Sequence, residues 1–173
     1  MSTLRKYSRQ FGLRNLIETG TYLGLTVEAL RNDFTCIVSI ELDSALYSLA
    51  CTRFAGARNV KLLWGDSSLL MEFGLRFVGG PALCWLDAHF SGGFTAQGAT
   101  ETPVWAELDA ILTDHSRNHV ILIDDARSFE RSPYPSVEQV ARFVRERRPG
   151  WVTLVDHDII RIHAPFSNAS RVP

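Results

Sequence analysis

The sequence is poor in lysine. Only Lys6 and Lys61 occur in 173 residues, and the net charge is −1. Such a balance gives no strong field for holding nucleic acid or an anionic bilayer. Arg142, Arg145, Arg147 and Arg148 do cluster, and the run reads as the solvated face of a helix. No apolar stretch approaches the roughly 20 residues that a bilayer-spanning helix needs. Residues 1–14 are polar and basic and lack the apolar core of a secretory signal, so a cytoplasmic chain without a membrane partner is expected. Cysteine is scarce as well. Cys36, Cys51 and Cys84 are odd in number and match no metal-ligand spacing; Cys36 and Cys84 sit in apolar runs and read as small buried hydrophobes, in keeping with a reducing compartment. There is no internal repeat, no low-complexity linker and no G-x-G-x-x-G fingerprint.

What the sequence does contain is an alternation of short apolar runs with helical patterns. Residues 15–20, 36–42, 60–64, 82–86 and 119–123 read as strands. Residues 25–34, 44–54, 68–77 and 136–147 carry apolar positions at helical spacing, and a further helix follows Pro103, with Thr102 as its cap and Leu108, Ile111 and Leu112 as its apolar stripe. Residues 152–155 and 159–162 flank Asp156-His157-Asp158 as a terminal hairpin. Unbroken apolar strands separated by helices predict a single α/β domain: a Rossmann-like, doubly wound, mostly parallel sheet between two helical layers, closed by the antiparallel hairpin. Residues 1–14 form an N-terminal segment, and residues 165–173 are expected to be a frayed tail.

In open α/β sheets ligands lie beyond the carboxyl ends of the strands. All five predicted strands end at an acid: Glu18, Glu41, Asp66, Asp87 and the pair Asp124-Asp125. The first is embedded in Glu18-Thr19-Gly20-Thr21-Tyr22-Leu23-Gly24. Gly20 permits a tight turn, and Gly24 permits the next helix to pack closely. A carboxylate before the turn disfavours a pyrophosphate and suits a ligand with an ammonium group. Glu41, about 20 residues further on, is placed to accept hydrogen bonds from ribose hydroxyls. Asp66, between Gly65 and Ser67, could accept an adenine amino group. Together these residues point to an adenosine that carries a charged amino acid.

Glu18–Gly24, Glu41 and Gly65-Asp66 resemble the successive cofactor motifs of class I S-adenosylmethionine-dependent methyltransferases, over nearly the whole chain. The resemblance implies a seven-stranded sheet with an antiparallel last strand. It places Glu18, Thr19, Gly20, Thr21, Tyr22, Gly24 and Thr26 by the methionine moiety. Glu41 and Leu42 then belong to the ribose, Gly65, Asp66 and Ser67 to the adenine, and Asp87 to the cofactor's reactive end. Extra N-terminal helices of the kind that cover the site in many relatives are not expected from residues 1–14.

Asp87, Asp124 and Asp125 fall at the ends of strands expected to be about 4.8 Å apart. Three carboxylates so close need protons or a cation, and a hard divalent ion such as Mg²⁺ is the simple remedy; the alternative is that Asp124 and Asp125 cap turns or pair with Arg127 and Arg131. The arrangement resembles the metal-dependent O-methyltransferases of catechol and macrocin type, which implies that the metal would bind and acidify the acceptor hydroxyls. His89, two residues after Asp87, is a candidate general base or a ligand of a softer metal. Residues 90–102, with Gly92, Gly93 and Gly98, are expected to order over the acceptor. Trp105 is assigned either to the acceptor pocket or to packing. The expected activity is methyl transfer to an oxygen of a small hydroxylated acceptor, without a nucleic-acid partner and with a homodimer possible. Metal-free catalysis through His89 and a non-catalytic cofactor-binding module are the alternatives.

Overall fold

The computed structural model describes residues 2–87, 102–131 and 133–166. Helix α1 (Ser2–Gln10) leads into β1 (Asn15–Thr19), α2 (Leu25–Leu30), β2 (Cys36–Glu41), α3 (Ser44–Arg53), β3 (Val60–Trp64), α4 (Ser67–Val78) and β4 (Ala82–Leu86). The chain continues through α5 (Val104–Thr113), β5 (Val120–Ile123), a 3₁₀ turn over Ala126–Glu130, α6 (Val137–Arg147), β6 (Val152–Asp156) and β7 (Ile159–His163). The seven strands lie in the order β3-β2-β1-β4-β5-β7-β6. The first five are parallel, and β7 runs antiparallel to both neighbours. This is the α/β, doubly wound, three-layer arrangement expected.

Each central strand is apolar on both faces because both are covered. Leu16, Ile37, Leu83 and Leu122 point into the layer of α1–α3, and their neighbours Ile17, Val38, Cys84 and Ile121 point into the layer of α4–α6. The alternation continues at the strand ends and sorts the polar residues by face. Local chemistry fixes where helices begin. Asp43 accepts hydrogen bonds from Ala45 N and Leu46 N at the start of α3, and Ser136 forms a reciprocal capping box with Gln139 at the start of α6.

Several expectations are corrected. Within the N-terminal segment α1 buries Leu4 and Tyr7 against the sheet, while Arg5 turns outward to Asp33 at 2.9 Å. The helix expected over residues 25–34 ends at Leu30. Phe34 is still buried, because the turn folds it back onto the same core. The hairpin does not simply add a strand to the sheet's end. Its second strand, β7, inserts beside β5 and leaves β6 at the edge. Arg148 is not on a solvated face: it is buried, and its guanidinium donates to the carbonyls of Leu112 and Asp114 at the end of α5. Of the expected tail, residues 165–173, only Pro165 and Phe166 are described; the Phe166 ring lies tilted against Phe11 and His163, with centroids 4.9 and 5.0 Å apart. Trp105 packs on Phe143 at 4.8 Å, the packing alternative. No helix among the described residues is long and apolar enough to cross a membrane.

Gly24 shows how tightly the first turn is built. Its φ is +71°, and a Cβ there would lie 2.7 Å from Cε2 of Phe54, a buried ring on the end of α3. Gly24→Ala is therefore expected to lower stability by about 1–3 kcal/mol, from overpacking and left-handed strain together. Thermal denaturation checks this; an unchanged melting temperature would mean that α2 and α3 can separate freely.

Candidate functional site

The ends of β1, β2, β3 and β4 share one edge of the sheet. Register places Glu18 beside Ser39 and Trp85, and Glu41 beside Trp64. Glu18 and Glu41 face the α1–α3 layer, and both are buried, with exposures of 1% and 6%. Ser39 Oγ lies 2.6 Å from Glu18 Oε2 and 2.6 Å from Thr21 Oγ1, so a chain of hydroxyls runs from the acid to the glycine turn. Burial pushes the Glu18 carboxyl up to about 8. Hydrogen bonds from Ser39 and Thr26 work against the rise, and the nearby Asp87 and Glu41 add to it.

Glu41 organises the turn itself. Its Oε2 accepts from Tyr22 N and its Oε1 from Asp43 N, each at 2.8 Å. The first bond holds Tyr22 in a left-handed conformation, φ +48°, between Gly20 at +84° and Gly24 at +71°. Gly20 N and Thr21 N both donate to Ile40 O, which ties the turn to β2. Gly20, Thr21, Tyr22, Gly24 and Thr26 are thus gathered around Glu18 and Glu41, whereas Thr19 turns to the opposite face, beside Glu107. Leu42 and Gly65 join them: Gly65 N donates to Glu41 O at 2.9 Å, and Trp64 Nε1 to Leu42 O at 3.2 Å. Asp66 also has a task that the sequence reading did not include. It caps α4, accepting from Ser68 N at 2.8 Å, with Ser67 buried behind it.

Asp87 N donates to Thr19 O and Asp124 N to Leu86 O, each at 3.1 Å, so Asp87 and Asp124 occupy adjacent strand ends as expected. The third carboxylate of the expected metal set is otherwise engaged. Asp125, left-handed at φ +52°, pairs with Arg127 at 2.7 Å, and Arg127 also pairs with Asp158 of the β6–β7 turn. Asp124 Oδ1 accepts from Asp125 N at 2.9 Å. An arginine thus supplies the positive charge that the metal reading assigned to a cation at Asp125. Among the described residues no three His, Cys, Asp or Glu side chains gather as a metal site. His89 and residues 90–101 lie outside the described residues.

The sequence reading missed Glu107. It lies on α5, 2% exposed, and burial pushes its carboxyl up to about 7. Ser67 and Thr19 lie close enough to moderate that rise, yet Glu107 Oε1 and Thr19 Oγ1 are buried without a hydrogen-bond partner of proper geometry. The signal was the spacing: 104, 107, 108, 111 is a buried helical stripe, and an acid stands in it.

No protein-family model matches the chain, and no curated protein matches it in sequence. Its structure is similar to that of the N-methyltransferase NodS from Bradyrhizobium japonicum in complex with S-adenosyl-L-homocysteine. The TM-score is 0.61 and the identity 13%, over 95% of this chain and 85% of that one. It is also similar to the SAH-bound Podospora anserina methyltransferase PaMTH1, with a TM-score of 0.58 and 17% identity over 96% and 77% of the two chains. The 23S rRNA methyltransferase ErmE gives 0.56 and 15%, over 95% and 68%. At these identities the likeness is one of fold. The chain has the fold of class I S-adenosylmethionine-dependent methyltransferases, a fold that here accompanies both an N-methyltransferase and an rRNA methyltransferase and so does not select an acceptor.

The two raised acids make stability pH-dependent. The unfolded chain loses these protons above about pH 4.5, whereas the fold retains them until about 7 and 8. Their stabilisation is complete below the unfolded value and is lost as pH rises through the folded values. His119, buried against Asp114 with its pKa lowered, opposes this trend only below its ordinary 6.5. The melting temperature of the ligand-free protein should therefore fall from pH 6.5 to 8.5, and Glu18→Gln should flatten the slope. A flat wild-type profile would contradict the burial of these acids as charged-form penalties.

Proposed function

We propose that the chain binds S-adenosylmethionine at the edge formed by β1, β2 and β3 and transfers its methyl group to an oxygen of a small hydroxylated acceptor. The observation that carries this reading is a pair of buried acids with no cation beside them, one of which, Glu18, keeps its proton near neutral pH because burial disfavours its charge. Glu18 and Glu41 are buried side by side at the glycine turn, and no cationic side chain among the described residues pairs with either. A ligand with an ammonium group beside a sulfonium provides that cation. The turn residues Thr19–Gly24 and Thr26 would hold its amino-acid part, Glu41 and Leu42 its ribose, and Gly65, Asp66 and Ser67 its adenine. The group supplies a methyl on a sulfonium, whose departure needs no acid. The protein's share is to exclude water, fix the acceptor and remove its proton. Asp87 is the described residue nearest that task by position, with His89 the companion base.

Metal assistance is the weaker part of the expected mechanism. Asp87 and Asp124 alone remain as neighbouring carboxylates, and the engagement of Asp125 with Arg127 favours methyl transfer without Mg²⁺.

Calorimetric titration of S-adenosylhomocysteine, with Mg²⁺ and with EDTA, tests the reading. Binding of roughly micromolar affinity is expected in both solutions. Because an ammonium beside Glu18 would drive its proton off, the heat at pH 7 should also depend on the buffer's ionisation enthalpy, and Glu18→Gln should remove that dependence. No binding in either solution would end the proposal; binding that requires Mg²⁺ would restore the metal.

A further inference from the structure

The solvent side of α4 is apolar where a surface helix is ordinarily polar. Leu69, Phe73 and Phe77 stand one turn apart and are 78%, 47% and 49% exposed. They do not belong to the core, because Ser67, Met71, Gly74 and Leu75 form the buried side of the same helix. The rings of Phe73 and Phe77 are 6.5 Å apart and tilted by 32°, and Lys61 Nζ of β3 lies 5.8 Å from the centre of the Phe77 ring. The row therefore leans towards β3, the outermost strand on that side of the sheet. Three side chains so exposed present on the order of 300 Å² of surface, the size at which a patch on a monomer begins to mark a contact site.

The charges beside the row select its occupant. Glu72 and Arg76 lie 3.6 Å apart on one flank of it, and both are largely exposed. When two copies of α4 cross antiparallel about a two-fold axis near Phe73, each flank meets the same flank of the other copy. Glu72 then faces Arg76 of the second copy, and Arg76 faces its Glu72. A flank that carries one charge of each sign, one turn apart, is thus complementary to itself. An i, i+4 row also packs into the groove beside the same row of another helix, the commonest mode of helix packing. Pairing through the β3 edge is less suited, because a lysine on a short edge strand, here Lys61, discourages it.

We propose that the outer face of α4 is a docking surface for a second copy of this chain, with Leu69, Phe73 and Phe77 at the centre of the contact and Glu72 and Arg76 exchanging partners across it. The proposal does not depend on the methyl-transfer reading. Two copies of the row with their polar flanks bury about 1,000 Å² in total, at the lower end for a specific contact. The dimer is accordingly one that dissociates, with a Kd of roughly 10–100 µM.

Sedimentation equilibrium of the full chain, from about 5 to about 500 µM, tests the proposal. The mean mass should rise from that of one chain towards that of two. Phe73→Asp should raise the dissociation constant about ten-fold or more, with an unchanged circular dichroism spectrum, since its ring is outside the core. Arg76→Glu and Glu72→Arg, each alone, should weaken the dimer about five-fold, and the two substitutions together should restore it. A pair that acted only within its own helix would leave the dissociation constant unmoved in all three charge variants. A single-chain mass up to the highest concentration overturns the proposal and leaves the row to a different protein. A dimer that Phe73→Asp does not weaken lies elsewhere on the molecule and overturns it equally. A response to Phe73→Asp without any response to the charge variants refutes the antiparallel two-fold arrangement.

Discussion

Both oxygens of Glu41 are committed to backbone amides, and much of the site follows from that pair of bonds. One bond reaches back to Tyr22 and holds the β1–α2 turn in its left-handed path; the other reaches forward to Asp43, the residue that caps α3. A single acid at the end of β2 therefore sets the shape of the turn that leads into α2 and the start of α3. An acceptor-only carboxylate suits this role because amides at two angles can share it. Ligand hydroxyls would meet an oxygen already fixed in place, and little ordering would remain to be done at binding.

The parity of the strands does the next part of the sorting. Residues one apart face opposite layers, so Glu18 and Thr19, adjacent in sequence, serve different neighbourhoods. Glu18 sits within the hydroxyl chain of Ser39 and Thr21. Thr19 sits by Ser67 and Glu107. The edge of the sheet thus carries two buried acids of raised pKa, separated by one layer of backbone. Their surroundings differ: hydroxyls and a second carboxylate around the first, the buried apolar stripe of α5 around the second.

The fold and the cofactor edge were legible because their signals are local. Apolar runs that stop at acids mark the strand ends, and Gly20 and Gly24 mark the turn. What was missed depends on contacts distant in sequence or on charge in unexpected places. Leu4 and Tyr7 make α1 amphipathic, but Arg5 and Lys6 between them and Arg9 after them obscure the stripe. Arg148 belongs to a run of arginines and only the packing of α6 on α5 singles it out. The pairing of Asp125 with Arg127 was open to a sequence argument as the alternative to a metal; the share of Asp158, brought over by the hairpin turn, was not. Glu107 was hidden by the habit of assigning acids to the surface.

The placement of β7 has a consequence for how the chain acquires its shape during synthesis. β5 ends at Ile123, yet its outer hydrogen-bonding edge is covered by Ile160–Ile162, which are made almost forty positions later. β6 is made first but pairs only with β7 in the sheet. Until the last strand leaves the ribosome, β5 offers a bare edge of Val120–Ile123, an apolar run of the kind that pairs with other chains. Arg161 and Asp156, joined across the hairpin at 2.8 Å, place charge on the segment that finally covers that edge. Nascent chains paused before this hairpin would be the ones most dependent on chaperones.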